Sequence, residues 1–461
     1  MPPASSSRSL PLGGSGRGYD ESHIMEKLKQ LQNIFKGDGV IWIIFFLLCI
    51  VSVVEVYSAS ASLGYKSGNY WFAVTYHTTL LFVGLLFMIV VLNIPCRYFK
   101  AMTPVMFILS VVLLVLVYFV GTKENDAARW LKIGFIPLQP SEIAKGTLVL
   151  TTACILSQLQ TPEGVSPKAF KYIMGTSLAL IGLVLPENFS TAALMFLVVF
   201  IMMFIGRVPV KRLLGLFASI VGMAAVFVML VMLLGKSKTQ LADNAKSDAK
   251  EYVETADEQN EQDGQDGQDG QDERKGIWHR ADVWKGRIES FFDSKDVPPE
   301  KFDMDNKGQE GRARIAIASS RVIGVGPGNS IQRDLLPLAF SDFIFAIIFE
   351  ELGLLGAGFV AALYILLLFR TGIIAQKCEN TFPALLAMGL ALMIVVQALF
   401  NMAVAVGLAP VTGQPLPLIS KGGTSSIINC IYIGVILSVS RTAKRRMSTS
   451  PQTMEEKTIN A

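Results

Sequence analysis

The sequence predicts an all-α polytopic membrane protein with about ten transmembrane helices, and three observations support this prediction. Of the 461 residues, 51% are hydrophobic and only 17% are charged, and the mean hydropathy is +0.46. Apolar runs of roughly 20 residues, the length that spans a bilayer, recur along the chain. Basic residues lie in every second loop between these runs. A soluble protein of this length exposes far more charge, so a soluble globular protein is excluded.

The apolar runs define the expected helices in order. They cover residues 40–59, 76–94, 102–120, 139–158, 171–186, 191–206, 212–235, 342–369, 382–408 and 423–440. The fifth and sixth runs allow a second interpretation, because together they could form one broken hairpin around residues 186–190. Residues 236–341 are the one long polar stretch, and we expect them to form a large extracytoplasmic loop between helices 7 and 8.

Positive charge near the helix ends predicts the orientation, because cytoplasmic loops carry an excess of lysine and arginine. Lysine and arginine residues precede the first apolar run and follow each even-numbered run. They include Lys36, Arg97, Lys100, Lys168, Lys171, Arg207, Arg212, Arg370, Lys377 and Arg441. Both termini should therefore be cytoplasmic, with a largely disordered N-terminus at 1–36, a transmembrane domain at 37–446 and a tail at 447–461. The pattern is broken in one short outer loop, which we expect in the membrane interface, by Lys123, Arg129 and Lys132.

The long polar stretch has two parts of different composition. The first contains a low-complexity acidic insertion at 256–273 with a repeated Asp-Gly-Gln pattern, which is typical of a solvated, flexible segment. The second is rich in glycine, arginine and carboxylates, which suits anionic head groups and acid–base chemistry. A compact hydrogen-bonded loop without chemistry is the alternative. The five cysteines are scattered, which predicts free thiols rather than a metal site or disulfide framework.

Glu142 and Lys145 are the most informative residues, because a carboxylate and an ammonium enter a predicted membrane helix within one turn. Charged groups at membrane depth are costly and usually face a bundle interior or a wet cavity. The i, i+3 spacing places both on one helix face, and Pro140 fits the helix N-terminus. The pair is either part of a functional site or a structural ion pair that shapes the cavity.

Four motifs in order resemble those of the SEDS family of membrane proteins for shape, elongation, division and sporulation. The first is Gln139-Pro-Ser-Glu142 with Lys145, and the second is Glu187-Asn-Phe-Ser-Thr191. The third runs from Gly326-Pro-Gly-Asn-Ser330 through Ser341-Asp-Phe-Ile-Phe-Ala346 to Glu350-Glu-Leu-Gly353. The fourth combines Pro410-x-Thr-Gly413 with Leu416-Pro-Leu-Ile-Ser-Lys-Gly-Gly-Thr-Ser425. The resemblance covers nearly the whole chain, and Gly-Asn-Ser followed by Gln is similar to the division branch of the family.

The resemblance implies a peptidoglycan glycosyltransferase that polymerises lipid II into glycan strands at the outer face of the bacterial cytoplasmic membrane. It implies septal cell-wall synthesis with a class B penicillin-binding protein transpeptidase and other divisome proteins as partners, and no nucleic acid. It also implies a divalent cation, Mg²⁺ or Mn²⁺, whose ligands are unknown; Glu142 either orients Lys145 or holds the metal. Two other functions stay open, a lipid II flippase and a non-catalytic scaffold that activates the transpeptidase.

The resemblance also implies a catalytic aspartate in the long outer loop. This sequence departs from the usual family pattern there, so we place the aspartate at Asp305, with Asp303 as the close rival and Asp296 as a more distant one. Lys145, Arg312, Arg314 and Lys421 are candidates to stabilise the leaving pyrophosphate. The candidate residues of the substrate cavity are Trp130, Gln139, Ser141, Glu142, Lys145, Arg312, Asp342, Ser420, Lys421 and Thr424. Asn188 stands where the family usually has aspartate, so either that carboxylate is not needed or Glu187 replaces it.

Overall fold

The computed structural model describes residues 35–59, 70–124, 127–133, 136–162, 164–234, 308–336 and 341–447. The acidic insertion at 256–273, the tail and the three candidate catalytic aspartates lie outside these residues. Within them, ten helices of 17 residues or more follow the order of the predicted spans. Six of these helices are long and apolar enough to cross a membrane. The prediction of an all-α polytopic membrane protein is confirmed.

The helix bounds agree with the apolar runs to within a few residues at most ends. The long helices are α1 Gly39–Ala59, α2 Tyr70–Asn93, α3 Cys96–Val120, α4 Pro140–Gln158, α5 Pro167–Val184, α6 Phe189–Ile205, α7 Val210–Leu234, α10 Ile344–Gln376, α11 Thr381–Ala405 and α12 Thr424–Met447. Two shorter helices, α8 Gly308–Ser319 and α9 Gln332–Leu335, occupy the described part of the predicted outer loop. All five cysteines are free, as predicted.

The fifth and sixth runs form two helices that are joined by a short turn at residues 185–188. α5 ends at Val184 and α6 begins at Phe189, with Asn188 as the N-cap. The Asn188 side chain accepts a hydrogen bond from the Thr191 amide at 3.1 Å. Asparagine and aspartate cap helices about equally well, so the loss of charge at this position keeps the helix start intact.

The short outer loop forms a small antiparallel sheet, which the sequence did not predict. Its strands are β1 Thr122–Glu124, β2 Ala127–Ile133 and β3 Ile136–Leu138, in the order β1-β2-β3. A second pair, β4 Gln160–Thr161 and β5 Gly164–Val165, joins α4 to α5. Strand pairing satisfies backbone polar groups of these turns beside apolar helices. Lys123, Arg129 and Lys132, the basic residues that broke the charge pattern, all lie in β1 or β2.

The helices α11 and α12 form the centre of the bundle. Of their apolar windows, 72% and 78% of residues are buried, against 44% or less in the other four candidate spans. Close packing of α12 on α2 depends on two glycines. A Cβ on Gly84 would lie 2.7 Å from Cys430 Sγ, and a Cβ on Gly434 would lie 2.8 Å from the Met88 carbonyl oxygen. Small residues at such crossings are the usual means of packing helices in membranes.

A break in α10 admits the glycine-rich loop that precedes it. Gly353 has φ 71° inside the helix, and Gly324 has φ 80° in the loop. The amides of Val325 and Gly326 donate to the carbonyls of Glu350 and Glu351 at 3.0 and 2.8 Å. The Leu354 and Leu355 amides donate to carbonyls of the loop at 3.2 Å each. The loop therefore supplies the backbone bonds that the interrupted helix lacks, as non-helical backbone in a membrane protein requires.

Substitution of Gly353 by alanine should be strongly destabilising. A Cβ at this position would lie 2.4 Å from the Gly324 amide nitrogen, and the positive φ is unfavourable for any other residue. Backbone strain alone costs about 1–3 kcal/mol, and the contact adds to it. Chemical unfolding in detergent micelles, followed by circular dichroism, measures the loss. Gly358→Ala in the same helix is the control, because its Cβ would meet nothing within 4 Å; equal stability of the two variants would contradict the argument.

An ion pair joins the start of α1 to the end of α10. Asp38 accepts from Arg370 Nε and Nη2 at 3.0 and 2.7 Å, and its Oδ1 also accepts from the Val40 amide at 3.0 Å. Burial raises the pKa of Asp38, but the hydrogen bonds and charge of Arg370 outweigh it, so the pKa lies below its usual range. The same contacts place the α1 start beside the α10–α11 turn.

Candidate functional site

A buried ion pair lies at the start of α4. Lys145 Nζ is 2.8 Å from Glu142 Oε1, and the two side chains are 1% and 3% exposed. Pro140 occupies the first helical turn, where its missing amide hydrogen costs nothing. Lys145 also donates to Gln397 Oε1 of α11 at 2.7 Å. The ammonium therefore links two helices of the bundle core.

Three buried amide side chains continue this network toward the loop between α11 and α12. Gln397 donates to the Pro415 carbonyl at 3.0 Å. Asn401 donates to the carbonyls of Asp342 and Gln414 at 2.8 and 2.7 Å. Gln414 in turn donates to Thr191 Oγ1 at 2.8 Å. Buried amides with this many partners hold a loop in one conformation.

The same loop contacts the segments on either side of it. Ser420 Oγ donates to the Ser341 carbonyl at 2.6 Å, and Thr424 Oγ1 at the start of α12 donates to the Pro137 carbonyl of β3 at 3.0 Å. The Tyr432 hydroxyl donates to the Glu142 carbonyl. Hydrogen bonds thus connect segments of all four sequence motifs, although the first and the fourth lie more than 200 residues apart along the chain. We call this set the motif network: Glu142, Lys145, Thr191, Asp342, Gln397, Asn401, Gln414, Ser420 and Thr424.

The other predicted cavity residues surround this network. Gln139 and Ser141 line a small cavity together with Glu187 and Asn188. Trp130 is a half-buried residue of β2. These placements bring the first and second motifs together at the outer ends of α4 and α5, as the predicted topology orients them.

The candidate cations are divided among three places. Arg312 of α8 donates to the Leu335 carbonyl at 2.6 Å, and Arg314 lies against the backbone at Gly407. Lys421 is half-buried in the loop before α12, and burial lowers its pKa. Lys145 is fully enclosed by its partners. The arginines therefore lie on the outer-loop side, and Lys145 lies inside the bundle.

A second buried polar cluster was missed by the sequence analysis. Glu55 of α1 is 0% exposed, and neither carboxylate oxygen has a hydrogen-bond partner in the described structure. Its charge neighbour is Glu351 of α10, which accepts from Ser58 Oγ. Arg333 Nη1 donates to Ser58 Oγ at 3.0 Å and lies 3.9 Å from Glu351 Oε1. His77 of α2 is also buried, with Nε2 2.7 Å from Ser52 Oγ.

The signal for this cluster was present in the sequence. Glu55 and His77 are ionisable residues inside apolar runs, which by themselves indicate a functional or structural site. Beside it, Glu350 accepts from Ser330 Oγ and from the Ile331 amide at 3.1 Å. Ser330 accepts from the Arg333 amide at 3.1 Å. Glu350 and Glu351 of α10 therefore hold the Gly-rich loop through their carboxylates, so the third motif forms a compact, hydrogen-bonded structure that also carries charge.

Glu55→Leu is expected to leave the protein at least as stable as the wild type. The substitution adds apolar contact and removes a buried carboxyl group that has no hydrogen-bond partner among the described residues, and burying such a polar group costs about 1–3 kcal/mol. Thermal unfolding in detergent measures the effect, with the near-isosteric Glu55→Gln as the control. A loss of more than about 1 kcal/mol for Glu55→Leu would show that this carboxyl group has a stabilising partner.

Asp296, Asp303 and Asp305 lie outside the described residues, but the chain enters α8 three residues after Asp305. α8 packs on α10. Among the described residues no group of three or more His, Cys, Asp or Glu side chains could hold a metal ion. The expectation of a divalent cation stays a prediction.

The fold and site define a multi-pass helical membrane protein with a buried polar network at one end of the bundle. A model of the cell cycle protein family that groups FtsW, RodA and SpoVE matches residues 38–252 and 277–445. The chain therefore belongs to this family, as the motifs indicated.

Curated relatives extend over most of the chain. It is 28% identical over 408 residues to the probable peptidoglycan glycosyltransferase FtsW of Coxiella burnetii, covering 86% of this chain and 95% of that protein. It is 30% identical over 366 residues to the protein of the same name from Nitrosococcus halophilus, covering 78% and 80%. It is 29% identical over 372 residues to the peptidoglycan glycosyltransferase MrdB of Escherichia coli K12, covering 80% and 85%.

Solved structures agree with the fold. A chain from a peptidoglycan synthase complex, whose structure concerns the coordination of polymerization and crosslinking, superposes with a TM-score of 0.63 at 23% identity. The rod shape determining protein RodA of Thermus thermophilus superposes with a TM-score of 0.58 at 22% identity. Both comparisons cover 89% of this chain and 99% of the other. At these identities the likeness concerns the fold alone.

Proposed function

We propose that this protein is a peptidoglycan glycosyltransferase that polymerises lipid II into glycan strands. The observation that carries the proposal is the motif network, in which hydrogen bonds join the four motifs on which the family resemblance rests. Relatives of similar length bear the name of this activity. Membership of the family and the connected network together support a shared reaction more strongly than either alone.

The reaction joins a sugar 4-hydroxyl to the anomeric carbon of a second lipid-linked sugar. The O4–C1 bond forms while the bond from C1 to the undecaprenyl pyrophosphate breaks, and the pyrophosphate leaves with the bonding electron pair. A sugar hydroxyl is a poor nucleophile, so a positioned carboxylate that accepts its proton accelerates the step by about 10²–10⁴-fold. Asp305 is the proposed base. A divalent cation would neutralise charge on the leaving pyrophosphate.

The other candidate residues have different proposed roles, according to where they lie in the structure. Arg312 and Arg314 of α8 and Lys421 of the loop before α12 lie at the proposed outer end, where fixed positive charge stabilises a leaving pyrophosphate. Lys145 is enclosed by Glu142 and Gln397, so its proposed role is to position the loop after α11 rather than to touch substrate. Asp342 and Ser420 belong to the same network, through the Asp342 carbonyl and the Ser420 hydroxyl.

The proposed setting is the bacterial cytoplasmic membrane at the division septum. Several relatives bear the name FtsW, which supports the division branch, and one structural neighbour comes from a synthase complex that couples polymerization to crosslinking. A class B penicillin-binding protein is accordingly the proposed partner, together with other divisome proteins. Strand polymerisation without a crosslinking partner would leave the new glycan unattached.

Polymerisation of labelled lipid II tests the proposal directly. The purified protein is combined with its cognate transpeptidase, an antibiotic that blocks crosslinking, and Mn²⁺, and products are separated by length. Long glycan strands are the expected result. A folded complex that makes none would contradict the proposal. Transfer of lipid II across vesicle membranes by the same preparation would then favour a flippase, and stimulation of transpeptidation alone would favour a scaffold.

A further inference from the structure

A polar cavity of about 480 Å³ lies at the end of the bundle opposite the motif network. It is enclosed by the α2–α3 turn, the end of α4, the α10–α11 turn and the last part of α12. The residues that matter here are Arg97, Lys100, Ser157, Lys377, Thr381 and Thr442. A smaller cavity beside the Asp38–Arg370 pair shares Lys377 with it, so the cavity lies on the side where α1 begins. The positive charge pattern predicts that this side is cytoplasmic.

Three cations line this cavity, namely Arg97, Lys100 and Lys377. Within the part of the chain that the structure describes, none of them forms an ion pair. Arg97 donates to the Tyr98 hydroxyl and lies over the Tyr98 ring, and Lys100 lies 6.0 Å from the centre of the Phe382 ring. Glu379 also lines the cavity. The lining therefore keeps an excess of positive charge that suits an anionic ligand of about two negative charges or fewer.

An apolar cavity of about 280 Å³ lies one helical turn deeper between the same helices. It is lined by Phe99 and Met102 of α3, by Leu386 of α11 and by Val435 of α12. The two cavities are lined by neighbouring residues of the same helices. In α3, Lys100 lines the polar cavity and Phe99 lines the apolar one. In α11, Phe382 lines the polar cavity, and Leu386, four residues later, lines the apolar one. Cationic groups at the membrane surface above an apolar space match an amphipathic molecule better than a soluble anion.

We propose that these two cavities together form a binding site for an anionic phospholipid of the inner leaflet. The phosphodiester head group would contact Arg97, Lys100 and Lys377, and an acyl chain would enter the apolar cavity. Basic pockets between transmembrane helices on the cytoplasmic side are suited to such head groups. The volume of the polar cavity falls within the range of roughly 300–1,000 Å³ that small-molecule sites occupy. Such a lipid would join α3, α11 and α12, the helices that carry or adjoin the motif network.

Lipid binding to the full chain tests the proposal. Native mass spectrometry would measure phosphatidylglycerol and phosphatidylcholine retained by wild type and by the double variant Lys100→Gln with Lys377→Gln. We expect the wild type to prefer phosphatidylglycerol, and we expect this preference to be about 25-fold weaker in the double variant, from roughly fivefold for each cation removed. The control is Lys168→Gln with Lys171→Gln, two exposed lysines predicted on the same side that line neither cavity. An equal loss in both double variants, or no preference in the wild type, would overturn the site.

Two further arms separate a lipid from a soluble phosphate. Inorganic phosphate and glycerophosphoglycerol are added as competitors, and Leu386→Trp partly fills the apolar cavity. Weak competition and loss of lipid binding by Leu386→Trp support the proposal, provided that thermal unfolding shows the variant is folded. Binding of the soluble anions as tight as that of the lipid, or unchanged lipid binding by a folded Leu386→Trp variant, would contradict the lipid assignment.

Discussion

Replacement of Asp305 by asparagine is expected to lower the rate of lipid II polymerisation by about 10²–10⁴-fold, because the amide cannot accept the proton of the attacking hydroxyl. Asparagine keeps the shape of the side chain, so the variant should fold and bind its partner. The family resemblance implies the base in this segment, and Asp305 precedes α8 by three residues in the sequence. α8 carries Arg312 and Arg314 and packs on α10.

Asp303→Asn is the matched control, two residues away and with the same change of charge. Glycan products are measured in the assay with the transpeptidase blocked, under single-turnover conditions that report chemistry rather than product release. Loss in Asp305→Asn alone would identify the base. Loss in Asp303→Asn alone would move the role to the rival, and unchanged products in both would move it to Asp296 or exclude a base in this segment.

Removal of the Lys145 ammonium is expected to lower the free energy of unfolding by about 3–5 kcal/mol, the usual cost of leaving a buried charge without its partner. Lys145→Met leaves Glu142 and Gln397 inside the bundle without their donor. Glu142→Gln combined with Lys145→Met removes both charges, so much of the stability should return. Chemical unfolding in detergent micelles measures the free energies of the wild type, the two single variants and the double variant, which together form a double-mutant cycle.

Activity of the double variant then separates the two roles left open for this pair. We expect polymerisation to stay about 10²-fold below wild type, because the loop held through Gln397 and Pro415 loses its position. Full activity in a stable double variant would instead show a purely structural ion pair. Arg370→Met is the control, since its pair with Asp38 is 32% and 11% exposed and should contribute about 1 kcal/mol or less. Equal losses for the two pairs would contradict the role of burial.

The helices could be predicted because their signal is local. A run of apolar residues of sufficient length has one stable arrangement in a bilayer, and Pro140 and Asn188 mark helix starts within a residue. The sequence did not predict the β1–β3 sheet, because its strands are short and contain both polar and apolar residues. Their pairing also depends on the neighbouring helices. The break in α10 was missed for a related reason, since Glu350-Glu-Leu-Gly353 reads as ordinary helix until Gly324 approaches it.

The candidate site was predictable where residue types are costly in a membrane. Glu142 and Lys145 stood out by charge, and the structure places them in contact at 2.8 Å. Gln397 and Asn401 did not stand out, because uncharged amides inside an apolar helix carry little signal until their partners are known. Glu55 carried the same kind of signal as Glu142 but had no companion within one turn, and its neighbour Glu351 lies almost 300 residues away.

The sequence by itself determined the membrane class, the number and order of the long helices, the expected orientation and the family, because hydropathy, charge and motifs are properties of short segments. Tertiary structure alone decided which motifs meet, how the Gly-rich loop completes the broken α10, and which cations surround one cavity. These features depend on contacts between residues distant in the chain, whose free energy becomes favourable only after the helices have packed.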